Sequence, residues 1–205
     1  MDSGTTTLSY MGEILTGVGA ILVSIFSFYK WKINRNDKRH KIKATDVLKD
    51  SQIIYDCLDD IVVTTQVKRA LLFVTHNDGD VIKPSSKLYS SCLYERYEPP
   101  FRSVKRLYQN YPLDIDYLKM LIDVMIHGYH NCIIAEMSEG LLKDIYVGEG
   151  VKFSKVIYIH DKLRKKIWYM SLATDNDIVH FNNMDYAIIM KNIKLIINII
   201  EKYEK

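Results

Sequence analysis

Cysteine is scarce in this chain. Its three thiols, Cys57, Cys92 and Cys132, show no paired spacing, which excludes a disulfide framework and fits a reducing compartment. No CxxC, GxSxG or HExxH motif occurs. Glycine-rich phosphate loops are missing too. GVG at 17 to 19 and GEG at 148 to 150 lack both the strand-to-helix context and the Lys-Ser/Thr pair. Internal repeats and low-complexity tracts are absent. The reading is therefore of a non-enzymatic protein with no cofactor and no resident metal.

An excess of charge of one sign is also missing from most of the chain. Residues 44 to 205 carry 21 basic and 22 acidic side chains, so that part is nearly neutral and shows no nucleic-acid footprint. The excess of base sits in KWKINRNDKRHKIK, where Lys30, Lys32, Arg35, Lys38, Arg39, Lys41 and Lys43 oppose only Asp37.

What is present begins with residues 14 to 29, ILTGVGAILVSIFSFY, an uncharged apolar run closed by Glu13 on one side and Lys30 on the other. Sixteen residues span roughly 24 Å as a helix, short of the ~30 Å hydrocarbon core. Gly12 and Trp31 extend the run, because Lys30 can snorkel and Tyr29 and Trp31 suit the interface. Residues 12 to 31 are thus expected to form one transmembrane helix. A cleaved signal peptide would need basic residues before the run, and the first 12 residues hold no Lys or Arg. The flanking bases predict that the N-terminus, residues 1 to 11, faces out and that the C-terminal part stays in the cytoplasm. The basic linker, residues 32 to 44, together with Lys30, would lie against anionic headgroups of the bilayer, each cation adding on the order of 1 kcal/mol.

Gly12, Thr16, Ala20 and Ser24 recur every four residues and share one helix face. Small residues in this pattern let backbones approach in lipid, so the span is expected to form a homo-oligomer through that face.

Residues 45 to 205 read as one α+β domain. Val47, Leu48, Ile54, Leu58, Ile61 and Val62 predict a helix from Thr45 to about Gln66. VKRALLFVTH is a strand run halted by Asn77-Asp78-Gly79-Asp80, and Val81 and Ile82 resume it as a hairpin. Lys87 to Tyr97 reads as a strand or an irregular arm, and Ser103 to Tyr111 has room for a short helical turn. DIDYLKMLIDVMIH is an amphipathic helix stopped by Gly128. NCIIAEM is strand-like, SEGLLKDIYVGEGV a short helix or loop, and KVIYIH and KIWYMSLAT form a second hairpin. A long helix from Asn183 to Tyr203 carries Ile188, Ile189, Ile193, Ile196, Ile197 and Ile200 as its apolar stripe. Hairpins between terminal helices predict an antiparallel sheet covered on one face.

This order, carried by RALLFVTHNDGD, KVIYIHDKLRKKIWYMSLAT and the final helix, resembles the GAF-like (or PAS-like) sensory family. There an N-terminal helix leads into a hairpin, a helix-bearing segment crosses the sheet, a second hairpin follows, and the C-terminal helix packs beside the first. The resemblance implies sensing of a small molecule or interaction with a protein ligand. The Asn, Lys, Phe, Asp-Glu signature of cyclic-nucleotide-binding members is not recognisable. The plan of one span followed by one α/β domain is also similar to that of the holin of T-even phages, which implies a role in host lysis as the alternative. In that holin the soluble domain lies outside the inner membrane, whereas the basic flank here predicts a cytoplasmic one.

Other chemistry-bearing groups have structural explanations in the sequence. His127, His130 and Cys132 are the one tight cluster of metal-ligand types, but they end a helix, where histidines bond the last carbonyls. Asp59 and Asp60 point about 100° apart on a helix. Asp78 and Asp80 suit a hairpin turn, and Asp114 and Asp116 a first helical turn. The basic turn Lys162, Arg164, Lys165 and Lys166 reads as a solvated hairpin tip.

Overall fold

The computed structural model describes residues 24–31, 43–77, 87–161, 166–177 and 181–203. The chain divides into two units, Met1–Val47 and Leu48–Lys205. In the first, residues 24 to 31 are helical (α1) and their side chains are exposed. No helix among the described residues is long and apolar enough to cross a membrane, and residues 12 to 23 of the expected span lie outside them.

Helix α2 runs over Ala44–Thr64. It buries Ile54, Cys57, Leu58, Ile61 and Val62, the helical spacing read from the sequence. Val47 and Leu48, expected on that stripe, are 41% and 70% exposed. Strands β1 (Arg69–His76) and β2 (Tyr89–Tyr97) pair antiparallel, and the two-residue β3 (Tyr111–Pro112) adds to β2. The expected strand at Val81 and Ile82 lies outside the described residues. Lys87 to Tyr97 is resolved in favour of a strand.

Helix α3 (Ile115–His127) begins at Asp114, whose carboxylate accepts from the Tyr117 amide at 2.8 Å. It ends at Gly128, whose φ of +83° is the left-handed conformation that glycine adopts without strain. Strand β4 (Tyr129–Ile133) starts and stops earlier than NCIIAEM suggested, because Ile134–Glu136 turn into a 3-10 helix. That turn lets Ile134 drop into the core. Helix α4 (Leu141–Gly148), strands β5 (Phe153–Asp161) and β6 (Ile167–Thr174), and helix α5 (Asn183–Tyr203) complete the domain.

Among the described residues, six strands form one sheet in the order β3-β2-β1-β6-β5-β4. The first and last hairpins thus meet at its centre, where Arg69 lies opposite Ala173 and Phe73 opposite Tyr169. Both faces are covered, which corrects the expectation of one. Ala70, Leu72, Met170 and Leu172 meet Leu58 and Ile61 of α2 and Ile189, Ile193 and Ile196 of α5. On the opposite face Leu71, Phe73 and Tyr169 meet Phe101, Val104 and Tyr108, together with α3 and α4. The physical sign of this was present in β1, whose unbroken apolar run ALLFV befits a strand buried on both sides.

The α2–α5 seam also carries polar ties. Asn192 Nδ2 donates to Asp60 at 2.8 Å, and Lys202 Nζ pairs with Asp50 at 2.6 Å. Hydrogen bonds from Lys202 and Tyr203 hold the Asp50 carboxyl below the usual range.

Candidate functional site: a tyrosine chamber with a buried arginine

Alternation along β1 and β6 sends Arg69, Leu71, Phe73, Tyr169 and Ala173 to the α3/α4 face. The segment between β2 and α3 supplies Tyr108 and Tyr111, α3 supplies Tyr117 and α4 supplies Tyr146, all of them buried. Phe73 stacks on Tyr169 with ring centroids 5.0 Å apart and meets Tyr108 edge-on at 5.3 Å. The hydroxyl of Tyr169 bonds those of Ser90 and, at 2.7 Å, Tyr117, while Ser154 and Ser171 pair at 2.9 Å.

Burial raises every phenol here. Tyr146 is pushed up to about 12, and Tyr108, Tyr117 and Tyr169 also lie well above the ordinary phenol value. Burial likewise lifts the Cys92 and Cys132 thiols to about 12. Burial thus disfavours the thiolate, the form that reactivity requires, at both cysteines.

Among the described residues, Arg69 is the one charged side chain enclosed with these rings; its relative exposure is 0%. The Phe101 ring lies 4.8 Å from its guanidinium carbon, and Nη1 donates to Glu149 Oε2 at 3.3 Å. Glu149 stands on the turn that follows α4, its side chain 22% exposed. Among the described residues, Arg69 Nε and Nη2 and the hydroxyls of Tyr108 and Tyr111 have no hydrogen-bond partner. The sequence reading missed this group. A basic residue at the head of ALLFV was the available signal, because a strand buried on both faces cannot leave such a side chain in water.

At the sheet edge, a cleft of about 340 Å³ opens between α3, β4 and the start of α4. Asp114, Asp116, Glu136 and Glu139 rim it, and Met120 and Cys132 lie among its apolar walls. Lys119 pairs with Asp116, and Lys143 with Glu139. Beside it, His127 Nδ1 and His130 Nδ1 both reach Asp123, at 2.7 and 2.5 Å. Both Nδ1 atoms go to this carboxylate and not to the last helix carbonyls that the sequence suggested, because Gly128 turns the chain back over the helix end. These bonds, with His130 first, keep the Asp123 carboxyl below its ordinary value. Cys132 does not join them, its Sγ facing Met120. No group of three metal-ligand types able to hold an ion exists among the described residues.

The other sequence-derived sites fall as follows. Gly12, Thr16 and Ala20 lie outside the described residues, as do Lys32, Arg35, Lys38, Arg39 and Lys41, the loop at Asp78 and Asp80, and Lys162, Arg164 and Lys165. Ser24, Lys30, Lys43 and Lys166 are described and exposed. Asp59 and Asp60 do separate, the first to Arg96 and the second to Asn192.

No family model matches the sequence, and no curated protein matches it. Solved structures do. The photoproduct state of a GAF domain from Synechocystis sp. PCC6803 aligns with a TM-score of 0.53 at 9% identity, over 76% of this chain and 95% of that one. A GAF domain of a two-component sensor histidine kinase from Bacillus halodurans gives 0.53 at 13%, over 75% and 95%. The GAF domain/HD domain protein from Geobacter sulfurreducens gives 0.53 at 10%, over 75% and 92%. At such identities the likeness concerns the fold alone, and it agrees with the strand pairing and the paired terminal helices described above: the domain has a GAF-like fold.

Proposed function

We propose that this chain is a membrane-tethered, non-enzymatic sensory module. Its GAF-like domain reads a small ligand on the α3/α4 face. The observation that carries this reading is the two-sided sheet: the chamber lies on one face, and α2 and α5 lie on the other. Strands β1 and β6 contribute alternate residues to both, so a shift in the chamber reaches the seam of α2 and α5 through one packed layer. Helix α2 in turn follows the basic linker and the apolar run in sequence. That one of the similar structures comes from a sensor histidine kinase supports the class of function.

Native mass spectrometry of the full chain, extracted in detergent, tests the ligand. A bound small molecule released on denaturation is expected. A protein that carries only its own mass, and gains no thermal stability from any member of a metabolite panel, overturns the reading. So does an abrupt collapse of culture density on expression that Leu22→Lys abolishes, because that behaviour belongs to a lytic protein.

Topology has its own test. With seven basic residues against one acidic in the flank, a C-terminal alkaline phosphatase fusion is expected to be inactive and a fluorescent-protein fusion bright. Active phosphatase would place the domain outside. Leu22→Lys should release the protein from the membrane, since a lysine at the centre of a span costs about 2.5–3.5 kcal/mol.

A further inference from the structure

The guanidinium of Arg69 has more donors than partners. Glu149 takes only Nη1, at 3.3 Å, longer than the ~2.7–2.9 Å of a good charge-assisted bond. Nε and Nη2 are left without a partner in a side chain that is wholly buried. Those two nitrogens form one edge of the planar group, and their N–H bonds run parallel. This is the fork that grips two oxygens of a carboxylate or a phosphate. The Tyr108 hydroxyl, buried on the same face, is a further donor without a partner. A buried cation with unmade bonds is costly, and a second anion would satisfy both its charge and its geometry.

We propose that the Nε/Nη2 edge of Arg69 binds the carboxylate or phosphate group of a small ligand, which enters beside the Glu149 turn. This rests on the ligand-reading function above and names the chemistry of its ligand. Glu149 is then a gate: it occupies the far corner of the guanidinium, repels an incoming anion, and is the partly exposed side chain beside the buried guanidinium. The Phe101 ring holds the guanidinium plane from one side, so the fork keeps its aim whether or not it is filled.

The full chain in detergent is titrated with sodium phosphate and, separately, sodium acetate, against sodium chloride at equal ionic strength. A saturable rise in the unfolding midpoint of about 2–6 °C at tenfold excess over Kd is expected for one of the two oxyanions, and which one it is assigns the group. Glu149→Gln should tighten that binding severalfold by removing the competing charge. Arg69→Lys, which keeps the charge and loses the fork, should weaken it at least tenfold. Should the Arg69 variant fail to fold, Glu149→Gln and Tyr108→Phe still decide, because tightening in the first and weakening in the second require the site. Equal response to chloride and both oxyanions, in the wild type and in Glu149→Gln, overturns the proposal. If that result accompanies a neutral molecule in native mass spectrometry, the fork inference fails while the sensory reading stands.

Discussion

Tyr169→Ala is expected to lower the unfolding free energy by about 3–5 kcal/mol, a large share of the ~5–15 kcal/mol of an ordinary domain. Tyr169 is 1% exposed, sits on a central strand opposite Phe73, and stacks on that ring. Its removal leaves a cavity where β1 and β6 meet, at a place with rigid strands on both sides that cannot collapse to fill it. Tyr169→Phe separates packing from hydrogen bonding. It keeps the ring but leaves Ser90 and Tyr117 without their shared partner, at about 1–3 kcal/mol. Urea unfolding of the full chain, followed by tryptophan fluorescence, measures both. If Tyr169→Phe matches the wild type within a few tenths of a kcal/mol, the hydroxyl network contributes nothing and the chamber is an ordinary apolar core.

Alkaline pH should unfold the domain in one cooperative step between about pH 10 and 11. Cys92, Cys132, Tyr108, Tyr117, Tyr146 and Tyr169 all hold their protons more tightly folded than unfolded, because burial disfavours the anion. Their contribution is intact below the unfolded values, 9.0 for thiols and 10.0 for phenols, and is lost as pH rises towards the folded ones. Each group removes about 1.4 kcal/mol per pH unit above its unfolded value, so the thiols begin the decline near pH 9 and the tyrosines steepen it past pH 10. Tyrosinate absorbance and far-UV circular dichroism of the same sample give the answer. The buried set should ionise only together with loss of ellipticity. Smooth ionisation of all tyrosines with the fold intact would contradict the burial of the chamber.

The legible parts of the fold were those with local causes. Helix α3 was readable from its apolar spacing and the Gly128 stop, while Asp114, read as part of the first turn, caps it instead. α5 showed its stripe at Ile189, Ile193, Ile196 and Ile200, and the pairing of β5 with β6 followed from two β runs around a short polar turn. The residues that cover the second face were not legible, although the ALLFV run of β1 called for such a cover. Phe101, Val104 and Tyr108 lie in an irregular segment with no period, and only their packing against Phe73 and Tyr169 reveals them as core. His127 and His130 stood out in the sequence together with Cys132, which does not join them, whereas Asp123, which does, lies within α3 and had no motif to mark it.

By itself the sequence determined the order of the longer helices and strands, the α+β class, the apolar run with its seven basic neighbours, and the near-neutral charge of the rest. These depend on periodicity, turn chemistry and composition, which act over a few residues. Only the tertiary structure decided that β1 lies beside β6, that the sheet is covered twice, and that Arg69, Tyr108, Tyr146, Glu149 and Tyr169 share one interior. The physical reason is distance along the chain. Arg69 and Glu149 are 80 residues apart, as Ser90 and Tyr169 are 79, and no local rule brings them together before the strands take their places in the sheet.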